Sequence, residues 1–402
     1  MPFWKRNLYI CWFGSFVTML GTSLVIPFLP LYIEQLGVKN VSSIEQWSGF
    51  AYSATFILSS IMSPFWGKLA DKHGRKVMLL RASLGMSLVL ALIGLVQNVY
   101  ELVLLRMLMG VISGYIPAAI TLVATQTPKE KSGWALGTLS TGPVSGTLIG
   151  PLIGGTLSEM IGINHVFFVA SGIMFISFLF SFVFVQEEFV RPASSDLKQG
   201  QIWKSVAHPK VLLAMFLTTF MIQFANMSIE PIVTIYVKQL SSGFSHIAII
   251  SGAVISASGL ASILAAPQLG KLSDRKGARR VLIFSLLLAA IVFIPQAYAR
   301  NPWELMGLRF LLGIATAGML PTVNSLIKRS VPDSVSGRIF GYNQSAMYLG
   351  NIAGPILGGQ MAAFYGFHYV FFSTSLLLLI NAAWVYFTDE VGTRRKSYTT
   401  TS

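Results

Sequence analysis

The chain has 402 residues, of which 53% are apolar and only 11% charged, with a formal net charge of +14. Ordinary globular chains carry about 25% charge, so this composition cannot cover a water-soluble particle of such length, and lipid is the expected solvent for most of it. The positive balance suggests nucleic acid, but where the charges sit excludes that reading.

Twelve apolar spans follow in order, at 8–33, 47–66, 77–96, 100–124, 134–158, 165–186, 211–236, 246–269, 281–298, 303–327, 340–364 and 369–388. Most reach the roughly 20 residues a helix needs to cross a bilayer. The first follows Met-Pro-Phe-Trp-Lys-Arg and exceeds the roughly 7–15 apolar residues of a signal peptide, so it is expected to be retained. With alternate loops assigned inside, 24 Lys and Arg fall inside and 3 outside (Lys39, Lys238 and Arg300), while Arg106 and Arg309 fall within spans. That bias is the positive-inside rule. It places both termini in the cytoplasm and assigns the basic charge to orientation in the cell membrane. Cys11 is the only cysteine, and the five histidines show no metal-ligand spacing. Neither a disulfide framework nor a metal or other cofactor is expected.

The two halves repeat. Pro27 and Tyr32 correspond to Pro231 and Tyr236 at an offset of 204, and Glu101 and Arg106 to Glu304 and Arg309 at 203. Gly150-Pro151 corresponds to Gly354-Pro355 at 204. A repeat of six spans inserts both copies with the same orientation, which is the parallel-repeat architecture of transporters. The expected organisation is all-α, with an N-terminal six-helix bundle at 1–186, a cytoplasmic linker at 187–210, a C-terminal bundle at 211–390 and a tail at 391–402. Strand patterns are absent.

Four stretches can carry chemistry. Gly67-Lys-Leu-Ala-Asp71-Lys-His-Gly74-Arg75-Lys76 recurs as Gly270-Lys-Leu-Ser-Asp274-Arg-Lys-Gly277. Each copy reads as a short charged hairpin: Gly67 admits a neighbouring helix, Gly74 permits the turn, and Asp71 can pair with Arg75 or sit near a helix N-terminus. On span 5, Gly146, Gly150 and Gly154 recur every four residues beside Pro151 and Gly155, giving a smooth packing face. Arg106, Gly110, Gly114, Pro117 and Thr121 form one face of span 4, so the guanidinium is expected to point inward, although it can also snorkel. On span 7, Thr219, Gln223, Asn226, Glu230 and Thr234 make one polar stripe. A carboxyl there suits reversible protonation, and the competing reading is a glutamate neutralised by Lys238.

These motifs resemble the major facilitator superfamily, and within it the bacterial twelve-helix drug:proton antiporters of the fluoroquinolone-efflux (MdtG/PmrA) type. The loop 2–3 stretch matches that family's G-x-L-a-D-r-x-G-r-K signature. Gly146-Thr-Leu-Ile-Gly150-Pro-Leu-Ile-Gly154-Gly155 matches its antiporter signature. The resemblance implies a twelve-helix fold and no enzymatic activity. It also implies proton-coupled efflux of structurally diverse drugs by alternating access, with the loop 2–3 cluster as a gate latch. Expected partners are small-molecule drugs, protons and the lipid bilayer, with the protein active as a monomer and no nucleic acid bound. Glu230, Glu34 and Arg106 are the candidate proton-coupling residues. Tyr32, Tyr115, Gln223, Phe224, Asn226, Tyr236 and Asn324 are candidates for lining the drug cavity. A sugar or metabolite exporter or symporter, and more remotely a membrane receptor or enzyme, remain alternatives. The span 5 signature argues against symport, and neither a nucleophile–base pair nor a signalling domain is apparent.

Overall fold

A computed structural model describes residues 2–128, 131–187, 209–241, 246–331 and 333–388, and these form α-helices without a strand. The linker and tail expected from the sequence lie almost wholly outside the described residues. Span 1 consists of α1 (Phe3–Ser23) and α2 (Leu29–Gln35), joined through a 3-10 turn at Ile26–Phe28. Spans 2 and 3 are α3 (Val41–His73) and α4 (Arg75–Ile93), and span 4 divides into α5 (Val99–Ile112) and α6 (Tyr115–Gln126). The first half closes with α7 (Ser132–Ile161) and α8 (Ile163–Phe184). The second half repeats this order. Span 7 is α9 (Pro209–Ile229) with α10 (Val233–Leu240), followed by α11 (Ile247–Lys276) and α12 (Ala278–Gln296). Span 10 is α13 (Pro302–Thr316) with α14 (Met319–Ser330), followed by α15 (Asp333–Tyr365) and α16 (Phe367–Phe387). Nine of the twelve spans are long and apolar enough among the described residues to cross a membrane, and α3, α7 and α15 are longer helices diluted by Gly, Ser and charged ends.

Spans 1, 4, 7 and 10 are the interrupted ones, although each reads as one apolar run. Proline lacks the N–H that a continuing helix needs; Pro27 and Pro231 sit at the breaks in spans 1 and 7. In span 4 Gly114 adopts a φ of +131° between α5 and α6, where only glycine is comfortable. Helices α5 and α13 start on matching caps. The Asn98 and Asn301 side chains accept from the N–H groups of Glu101 and Glu304 at 3.0 and 2.9 Å, and both glutamates reach back to backbone N–H groups at 2.9 Å. This reciprocal capping explains why Asn and Glu recur at one offset.

The charged hairpin is mostly helix. Helix α3 continues through Gly67 to His73, and the turn is made by Gly74 alone, at a φ of +90°. Gly277 does the same after α11 at +94°. The acid at the following N-terminus is Glu187, whose two carboxylate oxygens each accept a backbone N–H, of Arg75 and Lys76, at 2.7 Å. The Asp71 and Asp274 side chains lie outside the described residues.

Each half packs by the same scheme. Helix α1 lies against α7 and α8, α3 against α5, and α4 against α8; α9 lies against α15 and α16, α11 against α13, and α12 against α16. The halves meet where α3 crosses α15 and α7 crosses α11. Contacts at these two crossings are mates under the repeat. Ser53 Oγ donates to the Ile352 carbonyl at 2.8 Å, and Ser256 Oγ to the Leu148 carbonyl at 2.9 Å. A Cβ at Gly49 would overlap the Pro355 carbonyl, and one at Gly252 the Pro151 carbonyl. All of these lie away from the basic turns, toward what is called here the closed end. At the basic end, a Cβ on Gly67, Gly270, Gly137 or Gly341 would meet nothing within 4 Å. Gly67 therefore receives no neighbouring helix in this arrangement, contrary to the expectation of close approach.

Candidate functional site

Three of the four interrupted spans, 4, 7 and 10, bring charged groups together inside the molecule. Glu230 follows the last residue of α9, its N–H donates to the Asn226 carbonyl at 3.3 Å, and Pro231 then ends the ladder. The side chain is half-buried and has no hydrogen bond, but lies within electrostatic reach of Arg309 on α13 and of Tyr52 on α3. Tyr52 is buried, and the Arg106 guanidinium lies 6.0 Å from its ring centroid. Arg106 and Arg309 are only 6% and 8% exposed, so neither snorkels. Arg106 Nε and Arg309 Nε and Nη2 are buried with no hydrogen-bond partner. Unpaired buried donors are rare and costly. Tyr52, Arg106, Glu230 and Arg309 thus form a chain of polar groups across the two halves. Tyr52 carried no signal in the sequence, being one aromatic in a run of apolar and small residues.

Directly beyond Glu230 the halves close. Thr234 Oγ1 donates to the Pro27 carbonyl, joining the two helix breaks. Lys238 Nζ contacts the Glu34 oxygens at 2.7 and 2.8 Å. Glu34 and Lys238 are repeat mates, so they meet on the axis relating the halves. Lys238 therefore pairs with Glu34 and does not neutralise Glu230. A second pair bridges α7 and α11: Glu159 Oε2 lies 2.6 Å from His246 Nδ1, and Glu159 Oε1 accepts the Ile249 N–H at 3.0 Å. These closing pairs were not apparent in the sequence, because their members lie at the ends of different spans and meet only through the fold.

Two of the five residues of the polar stripe on span 7 pack against α15. Thr219 donates to Asn343 at 2.7 Å and Gln223 to Asn351 at 2.9 Å. Asn226, Phe224 and Glu230 remain partly exposed, and Asn324 is exposed while accepting from Asn343 at 3.3 Å. Three of the cavity candidates are enclosed within their own halves in this arrangement. Tyr32 and Tyr236 are buried inside their own halves, donating at 2.8 Å to the carbonyls of Ile93 and Gln296. Tyr115 is buried beneath Gly14 with its hydroxyl 3.0 Å from Ser181. Their aromatic character made these rings candidates, but each phenol is held by a partner within its own bundle. Tyr32→Phe is accordingly expected to lower thermal stability by about 0.5–1.5 kcal/mol, the net worth of one buried hydrogen bond, and to leave the KM for transported drug unchanged. A changed KM with an unchanged melting temperature would return Tyr32 to the cavity.

The antiporter-like stretch does two jobs. Gly146, Gly150 and Gly154 face α1 and its C-terminal end, where a Cβ would run into Phe16, Ser23 and Leu24. Gly155 faces the other half, at the Ala248 carbonyl. Gly350, Gly354 and Gly358 repeat the first job against α9, and Gly359 the second against the Glu45 carbonyl.

Comparison with known proteins agrees with this architecture. The chain matches the Major Facilitator Superfamily profile over residues 11–259 and 248–401. It is 48% identical over 387 residues to the multidrug resistance protein MdtG of Proteus mirabilis, covering 96% of each chain. It is 47% identical over 384 residues to MdtG of a Rahnella species, covering 95% of this chain and 93% of the relative. Among solved structures, a bacterial homologue of the human lysosomal transporter Spinster, inward-facing and occupied, superposes with a TM-score of 0.80 at 15% identity, covering 96% of this chain and 97% of that one. The nucleoside transporter NupG gives 0.79 at 14% identity, covering 96% and 100%. The interrupted helices, the twofold closure between halves and these matches lead to one assignment: the chain belongs to the major facilitator superfamily and is a multi-pass membrane transporter.

Proposed function

We propose that this protein exports structurally diverse drugs, fluoroquinolones among them, in exchange for protons. The observation that carries the proton part is Glu230, a carboxyl without a hydrogen bond among the described residues, at a helix break beside buried Arg309 and Tyr52 and immediately inside the point where the halves touch. Discontinuous helices at a repeat interface are where transporters of this architecture bind their substrates and ions. The drug part rests on likeness to relatives named for multidrug resistance, nearly half identical over nearly the whole chain. The charge bias places the basic end and both termini in the cytoplasm. The arrangement described is then inward-facing, closed outside and parted inside, and the molecule works as a monomer of two bundles, 1–186 and 211–390, joined by 187–210.

Protons suffice as the energy source. One proton crossing a potential of ~100 mV releases roughly 2.3 kcal/mol, and one pH unit adds about 1.4 kcal/mol. Together they sustain a drug gradient of roughly several hundredfold. If a monovalent cation leaves for one proton, only the pH part drives exchange. The test is reconstitution in proteoliposomes carrying an internal pH indicator. Adding a fluoroquinolone or a cationic dye on one side is expected to drive protons the opposite way, and a protonophore to abolish uphill drug movement. Drug accumulation indifferent to the protonophore would refute coupling.

A further inference from the structure

Glu45 belongs to none of the groups above. It lies one turn into α3, at the closed end, and is only 3% exposed. Among the described residues its side chain has no hydrogen-bond or ion-pair partner. It sits in the crossing of α3 with α15, where Ser42 Oγ donates to the Ala363 carbonyl at 3.2 Å and Gly359 packs on the Glu45 carbonyl. The titratable and charged groups in the outer halves of the elements packed against α3 are Glu34 on α2, Lys39 in the loop between them, Tyr100, Glu101 and Arg106 on α5, and Tyr365 on α15. Glu34 is taken by Lys238 and Glu101 caps its own helix, and none of the six bonds Glu45.

The repeat shows that packing does not require this acid. Under the offset of 203 that relates Gly49 to Gly252 and Ser53 to Ser256, Glu45 corresponds to Ala248 at the other crossing, so a small apolar side chain occupies the mate position. The acid at that second crossing is Glu159, which is paired with His246 and the Ile249 N–H. One crossing thus holds a paired acid and the other a buried, unpaired one. An ionised carboxylate without a partner is expensive to bury, and taking a proton relieves that expense.

We propose that Glu45 is a protonation switch for closure: in its acid form it is buried between α3 and α15 and the halves close at this end, and in its ionised form it favours their parting. The sign follows directly. Closure is favoured at low pH and lost as pH rises, by up to about tenfold in the closed-to-parted ratio per pH unit for one linked proton. Glu45 lies at the closed end and parting of the halves opens it to water on that side, so its proton returns to the side it came from. It therefore sets the conformational balance without adding to transport stoichiometry, unlike Glu230. On the orientation proposed above, the switch senses the pH outside the cell.

The test uses the full chain in detergent with spin labels on Met160→Cys and Phe364→Cys. These repeat-related positions lie at the closed end and are 74% and 71% exposed, whereas Cys11, the only native cysteine, is buried and escapes labelling. Distances are measured by electron–electron resonance from pH 5 to 9. The expected result is a shift from short to long distances with rising pH, lost in Glu45→Gln, in which the closed and parted populations keep one ratio across the range, and retained in Glu45→Asp. His246→Asn and Glu230→Gln are expected to keep the shift. A Glu45→Gln protein that titrates like the parent, or a shift removed only by His246→Asn or Glu230→Gln, overturns the proposal. The readout is separable from the function proposed above, since Glu45→Gln is expected to keep protonophore-sensitive efflux.

Discussion

Glu230→Gln is expected to abolish proton-coupled efflux while leaving the protein folded and inserted. Among the described residues the side chain makes no hydrogen bond, so the isosteric amide removes the charge and the titration without breaking one. Loss of the electrostatic partner of buried Arg309 is the main structural consequence, and removing the acid beside a buried charge costs more than the ~1 kcal/mol of a surface pair. Transport loses far more. An amide cannot carry a proton, so uphill efflux of dye or fluoroquinolone falls at least tenfold, and what remains no longer responds to a protonophore. In the parent, efflux weakens as the outer solution is made alkaline, because the proton gradient that drives it shrinks. The variant shows no such dependence. Glu34→Gln is the comparison: Glu34 is exposed and bound to Lys238, so its loss removes a surface pair and changes efflux only modestly. Efflux assays on cells matched for membrane expression decide the matter. Equal protonophore sensitivity in Glu230→Gln and parent would remove Glu230 from the coupling.

Substitutions in the glycine stretch of α7 are expected to separate stability from gating. A Cβ at Gly154 would overlap the Leu24 carbonyl oxygen and lie 2.8 Å from the Leu24 carbonyl carbon. The obstacle is backbone at the end of α1, so no rotamer change relieves it. Gly154→Val therefore forces α1 off α7, with overpacking of about 1–3 kcal/mol, and lowers the melting temperature of the purified protein. Gly358→Val does the same against Ser228 in the second half. Gly155 differs by one residue and by partner: it faces Ala248 across the interface between halves. Gly155→Val wedges the closed end apart and favours the opposite state. It is expected to leave stability closer to the parent but to raise labelling of a cysteine placed at Ile249. Gly172→Ala, where a Cβ meets nothing within 4 Å, is the control. Equal destabilisation by the Gly155 and Gly154 changes, with unchanged labelling, would show that both serve only packing.

The sequence alone determined the solvent, the number of spans, the charge asymmetry and the duplication. Each is a property of composition or of spacing along the chain. Scarce charge demands lipid, apolar length demands spans, and two copies of Gly-Lys-Leu-x-Asp demand a repeat whatever the packing. The glycine face of span 5 was legible for the same reason, since residues four apart share one side of a helix. What lay beyond it was decided by residues distant in the chain. That span 7 is broken at Glu230, that Lys238 answers Glu34, and that Glu187 caps the helix after Gly74 all depend on which ends the fold brings together. The tyrosines show the limit in the other direction. Tyr32, Tyr115 and Tyr236 have the chemistry for a drug cavity, yet each hydroxyl finds a partner inside its own bundle. The twofold closure was implicit in the repeat, but only the tertiary structure showed that mates such as Glu34 and Lys238 meet on the axis, because burial and pairing are properties of neighbours in space.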